Sequence, residues 1–331
     1  MRIDDHIARA FLAPEFQSLV ENFLRSQKLI PAEDPNASLS SKRFLTRSVV
    51  PHVEKLSDLF NRQTPESELG GGVDTYWRKS SNPANLRLAY FLSFMPGNLF
   101  RTLSVFAELS RLGFQWKFGG RAMRAIEFGA GPASGACGVA AAASLLPQLQ
   151  FPEKCDWTLV ERDRAVLGLG CDWATRFFTD WCKRPAWQPR EDHRTLDWAE
   201  PLRKGPKYDL LLFSFALNES RDSPEFLAHA LLKLMRVHLA EEGLLVLVEP
   251  ALKLQSRRLL EIRRELLKLL AADPREADPK LLTPCLGTQL CGALADPEDW
   301  CHEEATWWRP PFLKLLDELT KLDRKTLPFT H

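Results

Sequence analysis

From Arg121 onward, short apolar runs alternate with helix-length segments. RAIEF, DWTLVE, YDLLLFSF and GLLVLVEP are of strand length and almost continuously apolar, as in strands covered on both faces of a parallel sheet. The linking segments AAAASLLPQL, RAVLGLGCDWATRFFTDW and SPEFLAHALLKLMRVHLA have helical spacing, and the order predicts parallel strands joined by crossover helices. A weaker strand is expected in WQPREDHRTLDW. Asp222 or Ser223 before Pro224 predicts a helix start, and Gly243 its stop.

The first 120 residues carry helix-like spacing broken by Pro31, Pro35, Pro51, Pro65, Gly70, Gly71, Gly72 and Pro96. This predicts a helical N-terminal domain over residues 1–119, with two helices meeting at Pro96-Gly97. Residues 120–252 are expected to form a Rossmann-like domain, giving an α/β fold overall. Residues 253–331 follow as an extension. It opens on an amphipathic helix with Leu252, Leu259, Ile262, Leu266 and Leu270 on one side and Lys253, Arg257, Arg258, Arg263, Arg264 and Lys268 on the other. Such a face is either solvated or turned toward RNA.

The first strand runs into EFGAGPASG, so Glu127, Gly129, Gly131 and Pro132 lie at a strand-to-helix turn. Glycines there let the backbone turn sharply and approach a ligand. A dinucleotide fingerprint needs its third glycine three residues after the second, whereas Gly135 follows Gly131 by four. An acidic head followed by Gly-x-Gly suits a nucleoside without phosphate, which makes S-adenosylmethionine the expected cofactor. Glu161, ending the second strand, is placed to accept the ribose hydroxyls, although its separation from Gly131 exceeds the roughly 20 residues of the dinucleotide pattern. Asp197, beside Trp198, is expected at the adenine. Glu161 as a helix cap and Trp198 as core are the structural alternatives.

The fourth strand delivers Ser214, Asn218 and Glu219 to the carboxyl end of the sheet, where ligands bind in this architecture. Ser214 is a candidate cofactor contact, and Asn218 and Glu219 are the catalytic candidates. Neither the Asn/Asp-Pro-Pro-aromatic motif of amino-methylating enzymes nor a cysteine suited to attack cytosine stands in this region. Asn218 and Glu219 have the alternative task of holding the loop or the methionine end of the cofactor.

Near the C-terminus, CLGTQLCGALADPEDWCH brings Cys285, Cys291, Cys301 and His302 together in a polar, turn-rich stretch. Thiolates so spaced can converge on one zinc ion or one iron-sulfur cluster. His302 is a possible fourth donor. The bland alternative is that they are small buried hydrophobes.

Composition narrows the setting. The chain has 331 residues, 45% of them hydrophobic, with 44 Lys and Arg against 43 Asp and Glu. That near-neutral balance by itself points to no nucleic-acid partner. No uncharged run is long enough to cross a bilayer. Asp4 and Asp5 sit where a targeting peptide avoids acids, so the expected compartment is the bacterial cytoplasm rather than the mitochondrial matrix. Seven cysteines, an odd number, are expected as reduced thiols.

EFGAGPASG, LVERD, DLLLFSFALNE, GLLVLVEP and the DWCH ending of the cysteine run, in that order, resemble the methyltransferase-like assembly factors of the small ribosomal subunit, known from mitochondria and bacteria. The resemblance covers roughly residues 75–331. It implies a class I S-adenosylmethionine-dependent methyltransferase fold and a role in ribosome biogenesis and translation through association with small-subunit rRNA. It also implies a 4Fe-4S cluster held by four cysteines, with zinc the alternative. By position, Gly129, Gly131 and Glu161 would touch the cofactor, and Cys285, Cys291 and Cys301 would bind the cluster. The chain departs from the family in having no cysteine after Cys301. It ends at LPFTH, where the fold is expected to add its last antiparallel strands; either these and the fourth donor lie beyond residue 331, the favoured expectation, or His302 or a water takes that ligand's place. An active rRNA methyltransferase, a non-catalytic assembly factor and a small-molecule methyltransferase all remain open, as does the oligomeric state.

Overall fold

The computed structural model describes residues 3–61, 82–194, 205, 207–272, 281–285 and 291–331. Numbered among these residues, the strands are β1 (Met123–Phe128), β2 (Cys155–Glu161), β3 (Trp187–His193), β4 (Tyr208–Ser214), β5 (Leu239–Pro250), β6 (Glu303–Thr306) and β7 (Thr326–Thr330). The helices are α1 (Asp5–Ala8), α2 (Pro14–Ser26), α3 (Lys42–Ser48), α4 (Val50–Asn61), α5 (Pro83–Arg111), α6 (Ser134–Leu145), α7 (Arg164–Arg176), α8 (Pro224–His238), α9 (Lys253–Ala271) and α10 (Pro311–Thr320).

The strands form one sheet in the order β3-β2-β1-β4-β5-β7-β6. β3, β2, β1, β4 and β5 pair in parallel, and β7 runs antiparallel to β5, with Glu249 opposite Thr330 and Pro250 opposite Phe329. The four apolar runs are β1, β2, β4 and β5, and the weaker strand is β3. The expectation of missing terminal strands is corrected, because LPFT is itself the strand that pairs with β5. Its brevity and Pro328 hide it in the sequence, since proline is tolerated only at strand positions that need no N–H.

One face of the sheet carries Ile126, Phe128, Val160, Leu211 and Phe213 into a core completed by Leu227 and Leu231 of α8 and Leu259 and Ile262 of α9. The rings of Phe128 and Phe213 stack at 4.5 Å. On α6, SGACGVAAAASL is composed of small residues for a steric reason. A Cβ at Gly138 would lie 2.6 Å from the Leu99 carbonyl and from Thr102 Cβ, so α6 lies hard against the second half of α5.

Capping sets the helix starts. Asp163 accepts the N–H groups of Ala165 and Val166, both at 2.9 Å, and Ser223 accepts that of Phe226 at 3.2 Å, with Pro224 in the first turn of α8. Helix α8 stops at His238, before the expected Gly243, which lies inside β5 at an irregularity in its pairing with β4. The expected break at Pro96-Gly97 is also corrected, because α5 is continuous through Pro96. A proline inside a helix forfeits a hydrogen bond and costs about 3 kcal/mol. Here Leu92, Met95, Leu99, Phe100 and Leu103 are all fully buried around it, and that burial offsets the loss.

The chain groups into two compact units, one of residues 99–304 and 328–331 containing the parallel sheet, the other of residues 2–98 and 305–327. In the second, Phe11 and Phe16 meet at 4.9 Å and Phe23 and Phe91 at 5.6 Å. Asp317, 2% exposed, binds both Arg309 and Arg324, and Arg324 also donates to the Ser93 carbonyl and hydroxyl at 2.8 Å.

Candidate functional site

The helix after β1 covers one face of the sheet and the helix after β4 the other, so the topological switch lies between these neighbours. Ligands bind outside the carboxyl ends of the strands at such a point. The backbone there is built for close approach. Gly129 and Gly131 have φ of +65° and +51°, and Ala133 takes +57° ahead of α6. A Cβ on Gly129 would stand 2.7 Å from that of Ala216, so the loops after β1 and β4 nearly touch. Gly170 of α7 would collide with the Gly131 carbonyl at 2.4 Å if it bore a side chain. Pro132, buried, lies in the stretch that α7 presses against.

Glu161 ends β2 and reaches this loop. One carboxylate oxygen accepts the Gly131 N–H at 3.0 Å, and the other accepts those of Arg162 at 2.8 Å and Asp163 at 3.1 Å. Asp163, not Glu161, caps α7. Glu161 is partly exposed, so its carboxylate is available at the edge of the switch point. Beside it, Arg162 reaches to within 3.2 Å of Glu219, joining the end of β2 to the loop after β4.

Glu127 is placed differently. Its side chain is fully enclosed, and its two oxygens accept the N–H groups of Gly135 at 2.9 Å and Ala136 at 2.8 Å. A Cβ on Gly135 would overlap this carboxyl at 2.4 Å, which explains a glycine at that position. Burial pushes the carboxyl up to about 8, opposed by the two N–H donors and assisted by the charge of Glu161.

The same construction recurs one wall away, at a residue the sequence reading passed over. Glu249, at the end of β5 and 1% exposed, accepts the N–H of Leu217 at 2.7 Å and that of Asn218 at 3.2 Å. Its carboxyl is likewise raised to about 8, by burial against the backbone donors and with the help of Glu219. The signal was legible: GLLVLVEP ends in an acid after an apolar strand just as RAIEFG does.

Between these walls, β4 delivers Ser214 and then Phe215, whose φ of +61° is unfavourable for a side chain of its size. The guanidinium of Arg101 lies 5.5 Å from the Phe215 ring centre. A 3-10 turn over Leu217–Glu219 follows. Ser214 Oγ and Asn218 Oδ1 are buried and make no hydrogen bond to protein. Asp197 and Trp198 lie outside the described residues.

Among the described residues, no group of three or more His, Cys, Asp and Glu side chains is arranged to hold a metal ion. Cys285 is exposed and Cys291 and Cys301 are partly so. The Cys301 thiol is raised by burial and then by Cys291 and Cys285, which act on it as like charges. The three thiols thus lie within electrostatic reach without forming a ligand shell. His302 stands 3.7 Å from Glu304 and stacks on Trp300.

Two basic residues of α9 hold this segment. Arg257 donates to the carbonyls of Ala293, Asp296 and Asp299 at 2.6–2.9 Å, Lys253 pairs with Glu298, and Ser256 donates to the Cys301 carbonyl. Arg258 donates to the Asp222 carbonyl, and Arg264 and Lys268 meet Glu265. Cys137, Cys155 and Cys182 are buried, with thiols pushed up by desolvation, so they are packing residues rather than reactive ones.

No family model and no curated protein matches the chain. Among solved structures, it is similar to the CMeT domain of the citrinin polyketide synthase (14% identity, TM-score 0.35, covering 76% of this chain and 64% of that one). It is also similar to the methyltransferase subunit of a type I restriction-modification system from Streptococcus thermophilus (16%, 0.32, 78% and 65%) and to the DszA carbon methyltransferase (14%, 0.32, 77% and 64%). The chain spans a little under two thirds of the length of each. Likeness at this level assigns no activity, which has to be argued from the site.

Proposed function

We propose that the switch point binds S-adenosylmethionine and that the chain is a methyltransferase-like protein. One observation carries this reading: the N–H groups of Gly135 and Ala136, at the start of α6, are already taken by the Glu127 carboxyl. In dinucleotide and phosphate sites those N–H groups are the anion's partners. With them occupied, and with Glu161 nearby, a phosphate finds carboxyl groups where it needs donors. A nucleoside bearing a positive sulfonium suits the same surroundings.

The chain's residues divide the work. Glu161 would accept the ribose hydroxyls, and the Gly129–Gly131 backbone, whose glycines take positive φ, would lie along the ligand. Ser214 and Asn218 would offer their unpartnered oxygens to the methionine end or to the acceptor's N–H or O–H groups. The bound cofactor supplies an electrophilic methyl group. Asn218 and Glu219, at the end of β4, are the residues proposed to face its acceptor.

The test is equilibrium binding of labelled S-adenosylmethionine, competed with S-adenosylhomocysteine and with NAD. Displacement by the first and not by the second is expected. Displacement by NAD alone would overturn the reading.

The small ribosomal subunit and its rRNA are proposed as partner on the family resemblance alone. Co-sedimentation with small subunits at low salt tests this, since phosphate contacts are strongest there. A small-molecule methyltransferase is the outcome if co-sedimentation fails while methyl transfer to another acceptor is found. For Cys285, Cys291 and Cys301 an iron-sulfur cluster is proposed, with zinc the alternative. The run of three cysteines in one turn-rich segment, together with the family resemblance, is what supports it. A brown anaerobic preparation is expected, and a colourless one containing zinc would replace the cluster with that ion.

A further inference from the structure

Glu249 has no place in the cofactor contacts proposed above, yet it is enclosed as completely as Glu127 and is tied to the loop that carries Asn218. We infer that Glu249 is the positioning residue of the β4 loop: its carboxyl, delivered by the end of β5, fixes where Asn218 and Ser214 present their buried oxygens to a ligand. The inference rests on reading the switch point as an S-adenosylmethionine site.

Three features converge on it. The carboxyl spans the turn, with one oxygen on the Leu217 N–H at 2.7 Å and the other on that of Asn218 at 3.2 Å. The neighbouring Phe215 sits at φ +61°, and its N–H is held by the Val248 carbonyl at 2.7 Å, immediately before Glu249. A bulky residue keeps such a conformation only where its surroundings determine it, and the end of β5 supplies that determination. Finally, Asn218 Oδ1 and Ser214 Oγ are buried with no protein partner. Buried polar atoms normally have one. A loop held in place with two unpaired oxygens is arranged for a ligand that donates hydrogen bonds, such as an ammonium, an amine or a hydroxyl.

Glu127 and Glu249 therefore act as a pair, one holding the loop after β1 and the other the loop after β4. Neither carboxyl needs to touch the ligand. Each sets the backbone that does.

The experiment uses the full chain with Glu249→Gln, Glu249→Asp and Glu249→Leu, and reads three quantities: amide exchange at Leu217 and Asn218, affinity for S-adenosylhomocysteine by calorimetry, and melting temperature. Glutamine keeps an acceptor oxygen for Leu217, whereas leucine removes both. Glu249→Leu should speed exchange at Leu217 and Asn218 and weaken binding roughly tenfold, and Glu249→Gln should recover most of the affinity whatever its melting temperature. If the leucine variant fails to fold, Glu249→Asp, one methylene short, should give the same local changes in milder form. Unchanged exchange at these amides, or an affinity loss that follows melting temperature and is not recovered by glutamine, would overturn the inference. If the unaltered chain does not bind S-adenosylhomocysteine, the cofactor reading fails, and the exchange measurement still decides whether Glu249 holds the loop.

Discussion

The Glu161 carboxylate accepts the N–H of Gly131 at 3.0 Å across 30 residues of sequence, joining the end of β2 to the loop that follows β1. This bond ties together the two parts of the proposed site. It is also specific to the switch-point geometry, because Gly131 must leave its N–H pointing at the neighbouring strand, which its φ of +51° allows.

Removing that carboxylate should damage binding more than folding. Glu161, Arg162 and Asp163 are exposed or partly so, and the N–H groups of Arg162 and Asp163 can turn to water at modest cost, leaving that of Gly131 as the main loss. We expect Glu161→Ala to weaken S-adenosylhomocysteine binding at least roughly tenfold, with a melting temperature lowered by only a few degrees. Calorimetry and a thermal melt measure the two effects, and a large loss of stability with affinity intact would contradict the role.

Two glycines of α7, two residues apart, give opposite predictions. At Gly168 a Cβ would come no closer than 3.7 Å to Glu191 Oε1, an ordinary contact, whereas at Gly170 it would meet the Gly131 carbonyl at 2.4 Å. Gly168→Ala should stabilise the protein by up to about 1 kcal/mol through helix propensity. Gly170→Ala should cost about 1–3 kcal/mol by overpacking and weaken nucleoside binding as α7 is forced off the glycine loop. Urea denaturation of the pair checks both signs.

The two enclosed carboxyls make stability depend on pH. Glu127 and Glu249 titrate near 8 in the folded chain against 4.5 as the reference. Between these values the folded state keeps protons that the unfolded state has released, so stability falls as pH rises. Their contribution is complete below about 4.5 and is lost progressively toward 8. Denaturation midpoints from pH 5 to 8.5 should decline, and Glu127→Gln should flatten part of the slope. A midpoint rising across that window would exclude the assignment.

In the helical unit, Asp317 balances two arginines, Arg309 and Arg324. Asp317→Ala leaves both guanidinium groups without their buried partner and should cost about 3–5 kcal/mol. Denaturation measures this, and a cost below about 1 kcal/mol would show the network to be solvated.

Much of the sheet was legible in the sequence, since β1, β2, β4 and β5 are near-continuous apolar runs and the intervening helices carry their own periodicity and caps. What escaped depends on distant partners. Thr326–Thr330 has no strand pattern of its own and becomes one by pairing with Glu249 and Pro250. Pro96 reads as a break until the burial around it is known. The basic residues of α9 read as a surface stripe, although Arg257 spends its guanidinium on three carbonyls of the segment preceding Cys301. In the candidate site, the placement of Glu161, the glycines and Asn218 at or just past strand ends was legible. The role of Glu127 as a clamp was not, because an acid at a strand end looks the same whether it faces a ligand or the next helix. Glu249 stands at a strand end that reads the same way, but its partners, the Leu217 and Asn218 N–H groups, lie 32 and 31 residues away in sequence.

The central claim is that Glu127 closes the α6 N-terminus to phosphate and leaves a site for a phosphate-free, positively charged nucleoside. Calorimetric titration of the full chain with S-adenosylmethionine and, separately, with NAD tests it directly. Saturable binding of S-adenosylmethionine, sharply weakened in Glu161→Ala, with no heat from NAD, is the predicted result. Binding of NAD with none of S-adenosylmethionine would contradict it.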